Sequence, residues 1–96
     1  MDSMIERARA AGTPPEALGY EQEGIRLLAS LCRELQRGAG GEPFYLDCRT
    51  AGRLVGVDHV TANRWLFLLC SDGLLVVVEP GQRNRATSYR YTGVLT

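Results

Sequence analysis

The side chains able to do chemistry fall into two groups: three cysteines with a single histidine, and a polar run beginning at that histidine. Cys32, Cys48, Cys70 and His59 add up to the four ligands zinc prefers, but their spacings fit no finger or ribbon and no Cys-x-x-Cys occurs. Cys32 and Cys70 sit within apolar helical patterns, which marks them as buried free thiols of a reducing compartment. Cys48 stands near a helix start, where a thiol is somewhat acidified, with Asp58 and His59 not far along the chain. No glycine-rich phosphate loop or paired-carboxylate site accompanies them. The expectation is a non-enzyme with no cofactor and no metal.

The second group, His59, Val60, Thr61, Asn63 and Arg64, depends on the elements that hold it. Ile25, Leu28, Leu31, Cys32 and Leu35 recur at three- and four-residue steps, with Glu21, Glu23, Arg26, Arg33, Glu34 and Arg37 expected on the solvent side. That amphipathic helix runs from about Tyr20 and stops at Gly38-Ala39-Gly40-Gly41. A short strand at Phe44-Tyr45-Leu46 follows, then a helix from Cys48 to Val55 with Asp47 as its N-cap. Gly56 turns the chain, Asp58 caps the next helix, and Ala62, Trp65, Leu66 and Leu69 give that helix an inward face from His59 to about Ser71. Phe67, Leu68 and Cys70 are expected to thicken the buried far half.

After Asp72-Gly73 the period changes from 3.6 to 2. Leu74 to Val78 is a β-branched strand, Pro80-Gly81 a turn, and Gln82-Arg83-Asn84-Arg85 a basic tip. Ala86 to Tyr91 returns as the second strand of a hairpin. Ahead of all this, residues 1–19 show little apolar periodicity and are broken by Gly12-Thr13-Pro14-Pro15. They are expected as a flexible arm or short helix, and residues 20–96 as the domain.

Taken as a helix-turn-helix, Arg49 to Leu66 gives each position a physical role. Gly52 is small where two helices cross, and Gly56 supplies a positive φ at the turn. Val55, Val57, Ala62 and Trp65 lock the second helix inward, which leaves His59, Val60, Thr61, Asn63 and Arg64 outward near its N-terminus.

On Thr50 to Asp58, Thr61 to Leu66, Asp72 to Leu75 and the hairpin, the chain resembles the winged helix-turn-helix family of DNA-binding domains from about Tyr20 to Gly93. Arg85 to Tyr91 is similar to the return strand of winged helices appended to phage- and plasmid-type replication proteins and primases. The resemblance implies an α+β fold: a three-helix core, a short strand and a C-terminal β-hairpin wing. It also implies duplex DNA binding, in transcription regulation or replication. The helix at about 59–71 would enter the major groove. There Asn63 suits adenine, Arg64 suits guanine and Val60 a thymine methyl, with His59 and Thr61 beside them. Arg83, Asn84 and Arg85 in the wing at about 80–86, with Arg49 and Arg53, would meet backbone or minor groove.

Composition bounds this reading. Ninety-six residues, 45% hydrophobic and 23% charged, make one globular domain. No apolar run approaches the ~20 residues of a membrane span, and Met1-Asp2-Ser3-Met4 has no signal-peptide character, so a cytoplasmic location is expected. Eleven arginines, with no lysine, balance eleven acids; five face seven acids before Pro43 and six face four after it. Arg49, Arg53, Arg64, Arg83 and Arg85 would neutralise about four or five phosphates, for a salt slope near about −4 and weak binding by a monomer. Useful affinity would come from a homodimer, with the helix at 20–37 carrying Leu27 and Leu31 as the expected seam, or from neighbouring domains of a longer polypeptide. The alternative is a winged helix used for protein–protein contact. Base stacking on single strands is disfavoured, because Trp65 is expected to point inward and a covering helix to keep Tyr45, Tyr89 and Tyr91 from reaching bases.

Overall fold

The computed structural model describes residues 2–81 and 86–92. These form helices α1 (Asp2–Ala11), α2 (Glu23–Ala39), α3 (Cys48–Val55) and α4 (His59–Ser71), with a 3-10 turn at Pro15–Ala17. Strands β1 (Phe44–Tyr45), β2 (Leu75–Glu79) and β3 (Ser88–Tyr91) make an antiparallel sheet in the order β1-β3-β2. The described residues are a small α+β protein with four α-helices, one more than the three-helix core expected.

The additional helix is α1, and it is docked rather than standing off the domain. Ala8, Pro14 and Ala17 are buried against the core. A helix ending against a packed surface needs donors for its last carbonyls. Ser30 Oγ on α2 lies 2.7 Å from Ala8 O and 3.0 Å from Gly12 O, and Arg33 Nη2 donates to Gly12 O at 2.8 Å. This corrects the solvent side expected for α2. Arg33 and Glu34 are only 5% and 8% exposed, on the flank where Arg33 bonds to the end of α1. Glu34 Oε2 accepts from Arg37 Nη1 at 2.6 Å and sits 3.7 Å from Arg33 Nε, so the buried carboxylate faces two guanidinium groups.

Along its apolar stripe α2 buries Ile25, Leu28, Ala29, Leu31 and Cys32. Leu31, expected at a dimer seam, is fully buried within the protomer, and Leu27 is half-buried against the same core. Gly24 lets α4 cross closely: a Cβ there would collide with the indole ring of Trp65. Gln36, 2% exposed, uses both amide hydrogens and its oxygen to tie three segments together. Its Nε2 donates to Gly40 O and Glu42 O at 2.9 and 2.7 Å, and its Oε1 accepts from Tyr91 N at 2.9 Å.

The sheet closes the other side of the core with Phe44, Leu46, Leu75, Tyr89 and Tyr91, and the Phe44 and Tyr89 rings lie 6.0 Å apart. Phe44 pairs with Tyr89, and Leu75, Val76 and Val77 with Tyr91, Arg90 and Tyr89. A bulge between Val77 and Glu79 breaks this register, and Glu79 N donates to the buried Ser88 Oγ at 3.0 Å.

Candidate nucleic-acid interface

Two capped helices and a three-residue turn set the geometry of the polar run. Asp47 caps α3: its Oδ2 accepts from Thr50 N at 3.0 Å and its Oδ1 from Thr50 Oγ1 at 2.6 Å. The Thr50 hydroxyl, then the backbone amides, hold the Asp47 carboxyl below the usual carboxylate range. Helix α3 ends at Gly56, whose φ of 81° is left-handed, with Gly56 N and Val57 N both donating to Gly52 O at 2.8 Å. Asp58 then caps α4, its Oδ1 accepting from Thr61 N at 2.7 Å. Hydrogen bonds from the Thr61 side chain and amide depress the Asp58 carboxyl, with His59 and Arg64 adding minor electrostatic support.

Helix α4 presents the expected residues unevenly. His59, Val60, Asn63 and Arg64 are exposed, Val60 to 55%. Thr61 is half-buried and committed to the cap, which reduces what it offers a ligand. Ala62, Trp65, Leu66 and Leu69 are buried as expected. The far half of the helix is a correction, since Phe67 is 71% and Leu68 40% exposed. Helical spacing explains this: Val60, Arg64 and Phe67 follow i, i+4, i+7 along the face opposite the Leu66 and Leu69 side. Continuous apolar sequence conceals that face. Phe67 is the site residue that periodicity alone could have singled out, because it falls in register with Val60 and Arg64.

Arg49 and Arg53 lie exposed on α3, one turn apart. Arg83, Asn84 and Arg85, the expected wing contacts, lie outside the described residues. The cover expected over all three tyrosines holds for Tyr89 and Tyr91, which are buried, but not for Tyr45, which is 54% exposed because it takes the outward position of β1 while Phe44 takes the inward one. Burial pushes the Tyr89 and Tyr91 phenols up to about 12.

Other chemistry is sparse on these surfaces. Cys32 is buried, Cys48 and Cys70 are half-buried, and all three are free thiols. Burial pushes the Cys32 and Cys70 thiols up, away from the reactive thiolate. Among the described residues, no three His, Cys, Asp or Glu side chains cluster as metal ligands. A cleft of about 470 Å³ opens between α1 and α2, lined by Arg9, Glu23, Arg26 and Leu27, and no α4 residue borders it. No helix of the described residues is long and apolar enough to cross a membrane. Comparison with protein-family models, with curated proteins and with solved structures found no match to the chain.

Proposed function

We propose that the protein is a winged helix-turn-helix module that binds duplex DNA, with α4 as the major-groove helix and the β2–β3 hairpin as the wing. One observation carries the reading: the first two turns of α4 leave His59, Val60, Asn63 and Arg64 together on an exposed face. A capped N-terminus and a turn built on Gly52 and Gly56 hold that face in place. Base-edge readers near the N-terminus of a second, tightly crossed helix are the helix-turn-helix docking geometry. Arg49 and Arg53 on α3 supply phosphate contacts. The activity is non-enzymatic and calls for no cofactor, and the setting proposed is the cytoplasm, in transcription regulation or as part of a replication protein.

Fluorescence anisotropy with a random duplex, followed through a salt titration, tests this. The expected log–log slope is about −4. Arg64→Ala should relax sequence preference, while the double Ala variant at Arg83 and Arg85 should weaken all sequences alike and flatten the slope by about two. No binding by folded protein at low salt rejects the reading.

Phe67 favours a second reading, contact with another protein through the same helix. A phenyl ring 71% exposed beside Leu68 is apolar surface that phosphates do not need. Phe67→Ser separates the two, since it would abolish a protein contact yet leave the salt slope on DNA unchanged.

A further inference from the structure

The cleft of about 470 Å³ between α1 and α2 lies apart from the exposed face of α4 and has the volume of a small-molecule site. Its walls come from the end of α1 and the residues just after it, from the first turn of α2, and from Val55 at the end of α3. Ala8 and Val55 are buried and Leu27 is half-buried, so part of the lining is apolar.

The charged groups at the cleft are unmatched. Farther along α2, Arg33 and Arg37 both lie within 4 Å of the Glu34 carboxylate, at 3.7 and 2.6 Å. Arg9 and Arg26 pair with no carboxylate among the described residues, although the chain carries as many acids as arginines. Glu23, on the same rim, is bonded to neither. Arg26 is also held in place. It is half-buried, and its Nε donates to Tyr20 O at 2.5 Å, which orients the guanidinium and leaves Nη1 and Nη2 without an acceptor among the described residues. The Gly12 carbonyl at the cleft is already taken by Ser30 Oγ and Arg33 Nη2. With the Thr13 hydroxyl, the lining thus offers two cations and spare donors against one carboxylate, that of Glu23.

We infer that this cleft binds a small organic anion: a carboxylate head held by Arg9 and Arg26, on a short apolar body lying against Ala8, Leu27 and Val55. A guanidinium presents paired N–H donors that match the two oxygens of a carboxylate. One already oriented by the protein loses little freedom when the ligand arrives. Arg9 is exposed, so solvent screens its charge and the affinity falls in the millimolar range. This site does not depend on what α4 binds.

Titration of the full chain with hexanoate, followed by amide NMR shifts, is the test, with hexanol, hexylamine and inorganic phosphate as comparison probes. Hexanoate should move the Gly12, Thr13 and Gly24 amides saturably and leave those of Asn63 and Arg64 in place. The fluorescence of Trp65, the only tryptophan, should change in step, because its ring packs on Gly24 at the cleft wall. Hexanol and phosphate should each bind more weakly than hexanoate, the first for want of charge and the second for want of apolar contact. Hexylamine should not bind. Arg9→Gln changes an exposed position and should weaken hexanoate about two- to fivefold with the fold intact, whereas Glu23→Gln should tighten it. Hexanol or hexylamine binding as well as hexanoate overturns the anion assignment, and phosphate doing so overturns the apolar body. The absence of any saturable shift overturns the inference outright. So does hexanoate binding that neither Arg9→Gln nor Arg26→Gln weakens.

Discussion

Gly52 and Val57 stand so close that a Cβ on residue 52 would lie 2.6 Å from the Val57 carbonyl oxygen and 3.0 Å from that of Asp58. The obstacle is backbone on both counts, and it belongs to the turn that launches α4. Gly52→Ala should therefore cost about 1–3 kcal/mol, an overpacking penalty. It should also change the angle at which α4 leaves. Gly56 is the control: a Cβ there meets nothing within 4 Å, and the cost comes from its φ of +81° alone. Gly56→Ala should cost about 1–2 kcal/mol. Denaturant unfolding measures both stabilities, and DNA affinity should fall more in the Gly52 variant than its stability loss explains.

Docking of α1 rests on few polar groups. Ser30 Oγ and Arg33 Nη2 serve the carbonyls of Ala8 and Gly12 at the helix end. Ser30→Ala should cost about 1–3 kcal/mol by leaving a buried acceptor short of a donor. Hydrogen exchange resolves the mechanism, because protection should drop in α1 before it drops in α4.

The acid that caps α4 opposes the proposed ligand. Asp58 is depressed by its bonds to Thr61, so near neutral pH it carries full negative charge next to His59 and Arg64. Asparagine keeps the acceptor oxygen and removes the charge. Asp58→Asn should leave helix content unchanged and raise DNA affinity several-fold at low salt, an advantage that fades as salt is added. Asp58→Ala removes cap and charge together, and its helix should fray in circular dichroism.

Alkaline pH should unfold the protein through its tyrosines. Tyr89 and Tyr91 are pushed up to about 12 by burial, from an ordinary value of 10.0. A folded-state pKa above the unfolded one gives stability that is whole below pH 10 and lost as pH climbs toward about 12. Tyrosinate absorbance should therefore rise in step with loss of ellipticity for these two rings. Replacing both by phenylalanine should flatten the pH dependence between pH 10 and about 12.

Local rules made much of the chain legible. The bounds of α3 and α4 follow from Asp47, Gly56, Asp58 and Gly73, because caps and left-handed turns are short-range chemistry that neighbouring residues settle. The outward set His59, Val60, Asn63 and Arg64 follows from the same periodicity that buries Ala62, Trp65, Leu66 and Leu69.

Other features needed the tertiary structure. A run such as Trp65-Leu66-Phe67-Leu68-Leu69 is apolar throughout, so composition could not tell the covered side from the open one; packing left Phe67 and Leu68 outside. Arg33 and Glu34 carry the charge of surface residues, yet both are buried: Arg33 donates to the Gly12 carbonyl that follows α1, and Glu34 is held by Arg37 and Arg33. The valines of β2 look like core by residue type, but strand order alone places them at an edge. Sequence by itself determined α3 and α4 with their caps, which depend on contacts within a few residues. Only the tertiary structure decided which faces meet, because burial is settled by partners far away in the chain.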